Sequence, residues 1–170
     1  MMFKGLIGEG RFTLGPFYWS DLKKMLRLIE QYNFVLQDDT DSYGYFKQKI
    51  LSPNSIWFTG RDDKRVVGYG GFSNIERGRD ALCFIYSQRA NPGTLYFARL
   101  AIAFAFKEFN LQRVTTTCPA INRAASIFNR KIGFKLEGEH RASWLHEGFL
   151  YSTYLFGLLR EEAEKWDLKL

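Results

Sequence analysis

Few side chains in this sequence can exchange a proton near neutral pH. The only two histidines, His140 and His146, lie close together near the C-terminal end of the chain. An imidazole titrates near neutrality, so either histidine could act as a general base. Further candidates for that part are Glu137, Glu139, Tyr86 and Tyr151. For every one of these groups, a role in packing or on the surface remains the alternative.

The two cysteines, Cys83 and Cys118, have no spacing typical of metal ligands. A chain with two thiols and no recognisable export signal is expected to keep both reduced. The sequence therefore predicts no metal site.

Composition narrows the class of protein. Of 170 residues, 46% are hydrophobic and 25% charged, which is typical of a globular protein. No apolar run reaches the roughly 20 residues of a membrane span, and the N-terminus lacks a secretory signal, so a cytoplasmic location is expected. Aromatic residues reach 17%, which indicates a ring-rich core or apolar surface for a protein partner or a second copy.

The net charge of +6 raises nucleic acid as a partner. The basic residues are scattered rather than clustered, and no signature of a nucleic-acid-binding module is present. Nucleic-acid binding is therefore not expected.

The first half of the chain alternates short elements. A strand at 11–14 precedes a helix capped by Ser20 or Asp21, and a second helix covers 42–51. Strands follow at 55–59, 65–72 and 81–86, with a polar loop over 73–80. Short polar turns between these strands predict an antiparallel meander.

The second half begins with a helix over 94–109 that is apolar almost all round, so it should be buried centrally. A strand at 113–117, a helix at 122–131 with Gly133 as its C-terminal cap, a strand at 134–137 and a hairpin return at 149–158 complete the order. The simplest assembly is one α/β domain over 1–170, with a mixed sheet of about seven strands, about four helices and a charged tail at 160–170.

This order of elements resembles that of the GNAT N-acetyltransferases, and one segment strengthens the resemblance. Residues 122–134 read NRAASIFNRKIGF, which is similar to the family stretch N-x-x-A-x-x-x-Y-x-K-x-G-F. The following Glu137-Gly138 and the turn His146-Glu147-Gly148 also match family features. The similarity is greatest to the branch that acetylates ribosomal-protein N-termini and small amines.

The resemblance implies that acetyl-CoA binds at the start of the long helix, where free N–H groups attract its pyrophosphate. The family loop there is Arg/Gln-x-x-Gly-x-Gly/Ala, and this chain reads Arg89-Ala-Asn-Pro92-Gly93-Thr94. Pro92 replaces the first glycine and removes one N–H donor, and Thr94 replaces the second. The resemblance implies that acetyl-CoA contacts Tyr86, Arg89, Gly93, Thr94, Leu95 and Asn122. A plain turn and helix start is the alternative for this loop.

The resemblance also implies direct transfer of acetyl to an amine, with a base for the ammonium and an acid for the thiolate. Asn129 stands where the family often has its acidic tyrosine, and Ser126 is one residue from the position of a serine used in another branch. His140 is the first choice for the base. Asn122 matches a position beside the CoA arm and could also cap its helix.

Two functions follow as hypotheses. The first is an acetyl-CoA-dependent N-acetyltransferase that acts on a primary amine: a protein N-terminus, a lysine or a small amine. The second, suggested by Pro92, Thr94 and Asn129, is a GNAT-fold protein without activity that serves in a larger assembly such as a virus particle.

Overall fold

The structure is a computed structural model that describes residues 7–8, 11–31, 36–63, 65–87, 92–166 and 168. Its strands are β1 (Phe12–Pro16), β2 (Ile56–Asp62), β3 (Arg65–Glu76), β4 (Asp80–Tyr86), β5 (Arg113–Pro119), β6 (Lys135–His146) and β7 (Phe149–Leu159). Its helices are α1 (Trp19–Glu30), α2 (Ser42–Leu51), α3 (Pro92–Phe109), α4 (Arg123–Ile132) and the single turn α5 (Arg160–Ala163). The described residues thus confirm a mixed α/β architecture.

The seven strands form one sheet in the order β1-β2-β3-β4-β5-β7-β6. All neighbours are antiparallel except β4 and β5, which are parallel because α3 connects them across one face. The expected meander β2-β3-β4 is therefore present, and the single parallel junction lies in the middle of the sheet.

Two apolar clusters cover the two faces. The α3 face is filled by side chains with no exposed surface, among them Leu100 and Ile102 of α3 and Phe58, Phe72 and Phe156 of the sheet. The expected central burial of the long helix is confirmed. The opposite face packs α1 and α2 against Trp57 and Tyr69.

Several boundaries differ from the sequence prediction. The predicted cap of the first helix, Ser20 or Asp21, is wrong: α1 begins at Trp19 and its cap residue is Tyr18. The Asp21 carboxylate accepts a hydrogen bond from the Tyr18 N–H at 3.1 Å and so closes the first turn from within the helix. Strand β3 continues to Glu76 through the predicted loop, and β6 runs far beyond Glu137 to His146.

The C-terminal segment is also partly folded. Arg160 donates hydrogen bonds to the carbonyl oxygens of Leu111 (2.7 Å) and Phe106 (2.8 Å), and these fix α5 against the end of α3. Trp166 packs against the core on the α3 face.

Candidate functional site

Strands β4 and β5 separate in the middle of the sheet. Their paired register is limited to Leu82 and Thr115, and the Thr116 hydroxyl donates to the Cys83 carbonyl at 3.0 Å just beyond. A cleft of about 170 Å³ then opens between the segments 83–86 and 116–119. This volume suits an extended arm or a small amine, since pockets for drug-sized ligands begin at about 300 Å³.

The cleft wall is uncharged. Its described lining residues are Leu36, Tyr45, Cys83, Phe84, Ile85, Tyr86, Thr116, Thr117, Cys118, Pro119, Asn122, Ala125, Phe128, Asn129, Phe134, Trp144 and Thr153. No aspartate, glutamate, lysine, arginine or histidine is among them. A proton carried into this cleft therefore finds hydroxyl, thiol and amide groups in the described wall.

Helix α4 presents one face to the cleft. Asn122 caps it, accepting a hydrogen bond from the Ala125 N–H at 3.0 Å, and Gly133 ends it at φ 131°, a conformation that favours glycine. Ala125 and Asn129 line the cleft, and Asn129 is 9% exposed. Ser126 is not among the lining residues, because one residue along a helix turns the side chain by about 100°. The structure thus does not support Ser126 as a catalytic group.

The start of α3 only partly matches the predicted phosphate site. The helix begins at Pro92, where proline is well tolerated since its missing N–H would have no partner in the helix. Thr94, however, is 0% exposed, so its hydroxyl does not lie open to a phosphate as expected. Gly93 is also buried, and Leu95 packs against the core. Arg89 lies outside the described residues.

Tyr86 stands at the open end of β4 and lines the cleft. Its ring contacts Phe46 of α2 edge-on, with 5.6 Å between ring centres. Burial raises the pKa of the Tyr86 phenol, so this group stays protonated at neutral pH and can donate a hydrogen bond.

Both cysteines line the cleft, which their sequence spacing did not indicate. Burial raises the pKa of Cys83 and raises that of Cys118 to about 11. Because the thiolate is the nucleophilic form, neither residue is prepared to take up an acyl group. Transfer without a covalent enzyme intermediate fits this wall.

The two histidines lie outside the cleft lining. His140 is exposed, and β6 bulges between His140 and Trp144, where Ala142 has a φ of 50°. This irregularity brings Trp144 rather than His140 to the cleft. His140, the base preferred from the sequence, therefore lies outside the described lining of the cleft. This position could not be predicted, because the sequence does not reveal a bulge of this kind.

His146 has a structural environment instead. It is 9% exposed, and its Nδ1 lies 3.7 Å from the Asp38 carboxylate. The same carboxylate accepts hydrogen bonds from the N–H groups of Gly148 and Glu147, both at 2.9 Å, and these bonds lower the pKa of Asp38. The segment before α2 is thus docked onto the β6–β7 turn.

Lys49 of α2 is a candidate that sequence reasoning missed. Its ammonium lies 3.8 Å from the ring centre of Phe84 and 4.6 Å from that of Tyr45, and both rings line the cleft. Burial lowers the pKa of Lys49 to about 8. In the sequence, the contact of Lys49 with aromatic rings was indicated only by the spacing of Tyr45 and Lys49, which are one turn apart on α2. That spacing did not indicate the contact with Phe84.

Within the described ranges, no group of three or more histidine, cysteine or acidic side chains could hold a metal ion. In the same part of the chain, no helix combines the length and apolar character needed to cross a membrane.

Comparison with known proteins points in one direction. No family model matches the chain. A curated relative, the SPbeta prophage-derived uncharacterized N-acetyltransferase YokL of Bacillus subtilis, is 34% identical over 65 residues. That match spans 38% of this chain and only 37% of the relative.

Solved structures match over nearly the whole chain. The spermidine N-acetyltransferase of Vibrio cholerae, in complex with CoA and spermine, aligns with a TM-score of 0.77 and 16% identity over 92% of this chain and all of that one. A crystal structure described as a probable acetyltransferase aligns at 0.72 and 19% identity over 93% and 98%. With its β4–β5 separation at the centre of a seven-stranded sheet, this chain has the fold of the GNAT N-acetyltransferases.

Proposed function

We propose that this protein is an acetyl-CoA-dependent N-acetyltransferase that transfers the acetyl group directly to a primary amine. The observation that carries the proposal is the uncharged cleft between β4 and β5, bordered by the capped start of α4. Such a cleft in an acetyltransferase fold can take a thioester arm from one side and an amine from the other.

The residues present suit a CoA arm. Beyond Leu82, β4 has no further paired register with β5, so its edge can pair with the amide groups of an extended chain. Ala125 offers a small side chain beside that edge, and Asn122 begins the helix there. The first turn of α3 from Pro92 offers helix N–H groups to phosphate, and Arg89 stays a predicted contact.

The chemistry required of the protein is modest, because acetyl-CoA supplies an activated acyl group. The cleft holds the reacting groups together and excludes water, which accounts for much of such a reaction. The protonated Tyr86 phenol is the described group best suited to donate a hydrogen bond to the leaving sulfur, which then takes its proton from solvent. Asn129, an amide that does not titrate, cannot act as an acid. Since the described wall has no carboxylate or imidazole, the ammonium proton leaves to solvent.

Acetyl-CoA binding tests the proposal. Calorimetry with the wild-type protein should give a saturable signal, and release of free CoA with added amines should follow. Ala125→Trp fills the cleft and should abolish binding. Ala124→Trp places the same bulk on the exposed side of α4 and should leave binding intact. Absence of acetyl-CoA binding by the wild-type protein would contradict the proposal.

A second candidate function is a GNAT-fold component of a larger assembly, without activity. It is favoured by the buried Thr94, the missing tyrosine at Asn129 and the strongly exposed Phe149 (67%) and Leu150 (64%) at the tip of the β6–β7 hairpin. A protein that purifies as a partner-free monomer and binds acetyl-CoA would exclude this alternative.

A further inference from the structure

The cleft has two differently built sides. Cys83 and Ile85 of β4 pack with the α3 face, whereas Phe84 and Tyr86 alternate with them and pack with α1 and α2. The residues of the second kind, Phe84, Tyr86 and Tyr45, are called here the α2 side of the cleft. Among the described elements, α4 lies on the opposite face, so the acceptor is expected to enter the cleft from the α2 side.

A positive charge stands at the α2 side. The Lys49 ammonium lies over the rings of Phe84 and Tyr45, at 3.8 and 4.6 Å from their centres. No carboxylate of the described residues forms an ion pair with it. With a pKa of about 8, lowered by burial, Lys49 is still mostly charged at neutral pH.

No described negative charge offsets Lys49. Asp38, the acidic residue that follows Leu36, is engaged by the two N–H groups of the β6–β7 turn. Asp39 and Asp41 are exposed and do not line the cleft. The segments 32–35 and 88–91, which lie outside the described residues, contain no aspartate or glutamate in their sequences.

The cleft wall also contains an unpaired hydrogen-bond donor. The indole N–H of Trp144, a cleft residue, is buried and has no hydrogen-bond partner among the described groups. A buried donor without a partner is costly and is satisfied when a ligand brings an acceptor oxygen. A lone cation, apolar rings and an unpaired donor are complementary to an anion with an apolar body.

We propose that the acceptor is a primary amine with an apolar or aromatic body and one carboxylate, and that Lys49 selects against polyamines. The inference rests on the proposed acetyltransferase function. In the reaction, the ammonium loses one proton to solvent and its nitrogen forms a C–N bond with the acetyl carbon. The C–S bond breaks with its electron pair left on sulfur, the nitrogen gives up a second proton to solvent to become an amide, and the sulfur takes one proton from solvent. A polyamine keeps at least one further ammonium, which would be placed beside Lys49.

The experiment compares four acceptors by release of free CoA: L-phenylalanine, phenylalaninamide, phenethylamine and spermidine. For the wild-type protein, kcat/KM should be about 10-fold or more higher for phenylalanine than for spermidine. Lys49→Met should reduce the preference for phenylalanine over phenethylamine by about 10-fold, and Lys49→Glu should shift the preference toward spermidine. Lys47→Met, an exposed lysine of the same helix, is the matched control.

Two readouts separate this inference from the general proposal. Acetyl-CoA binding and the thermal midpoint are measured for every variant, so a misfolded variant is recognised. Calorimetry of N-acetylphenylalanine and of N-acetylspermidine on the CoA-loaded protein gives a preference that does not need turnover. If amines are acetylated but spermidine is used as well as phenylalanine, only the acceptor inference is overturned. If acetyl-CoA binds but neither acceptor class is acetylated and neither product binds, both proposals fail.

Discussion

At the residue scale, the cleft is notable for side chains whose protons are held tightly. Burial raises the pKa of Tyr86 and of both cysteines, so hydroxyl and thiol forms dominate at neutral pH. The groups most often used as bases, the histidines, lie elsewhere. The wall is therefore suited to donating hydrogen bonds and to holding reactants, and it is poorly suited to removing a proton from the amine.

Because Tyr86 lines the cleft and His140 does not, substitutions at these two residues should affect the rate of acetyl transfer unequally. Tyr86→Phe removes the phenolic proton but keeps the ring on Phe46, so kcat should fall by about 100-fold with little change in acetyl-CoA affinity. His140→Ala should leave kcat/KM within about 2-fold, because His140 is exposed and outside the cleft lining. Steady-state kinetics with one amine measures both. Loss of activity in the His140 variant would restore the sequence-based choice of base.

Lys49 should show its lowered pKa directly. At pH 8 about half of its side chains are neutral and nucleophilic, whereas an ordinary lysine reaches this point near pH 10.5. Limited labelling with acetic anhydride across pH 6–12, followed by peptide mass spectrometry, should therefore place the midpoint for Lys49 about 2.5 pH units below that of exposed lysines. A Lys49 midpoint equal to the others would argue that the ammonium is not held between the rings.

At the element scale, the sequence predicted those elements that carry a regular period or a defined cap. Helices α1 and α3 follow the helical repeat of their buried residues, and α4 has both Asn122 and Gly133 as end signals. The sequence prediction ended strand β6 too early. The strand bulges after Leu136 and again after His140, and these bulges break the alternation of apolar and polar positions on which the prediction depended. Lys49 was missed since its partner Phe84 is distant in sequence.

The contact between the loop before α2 and the β6–β7 turn is tested through Asp38. Asp38→Asn weakens the two charge-assisted bonds to Gly148 and Glu147, so amide exchange at these residues should accelerate. Asp39→Asn, at an exposed neighbour, is the control.

The Asp38 contact should also depend on pH. The pKa of Asp38 is lowered in the folded protein, chiefly by the Gly148 N–H, so its contribution is present above the ordinary value of 3.8 and is lost as pH falls through the lowered value. The stability difference between wild type and Asp38→Asn should accordingly shrink below pH 4. A difference that stays constant down to pH 2 would show that the charge plays no part.

At the scale of the whole molecule, α3 lies very close to strands β2 and β3, on one side of the β4–β5 junction. The glycine-rich character of β3 was visible in the sequence, but its purpose was not. Gly68 and Gly70 of β3, together with Gly60 of β2, leave room for the ring of Phe97, which is 2% exposed. The close approach fixes the first turns of α3, and these border the candidate cofactor site.

Gly60 is the most demanding of these positions. A Cβ built there would lie 2.4 Å from the ring of Phe97, so Gly60→Ala must displace the helix or the ring. We expect a loss of about 1–3 kcal/mol in the free energy of unfolding, measured by urea denaturation. Phe97→Ala removes the ring atoms that this Cβ would meet, so the loss in the double variant Gly60→Ala/Phe97→Ala should be clearly smaller than the sum of the two single losses. Additive losses would mean that the ring and the glycine do not meet, and that α3 is positioned by other contacts.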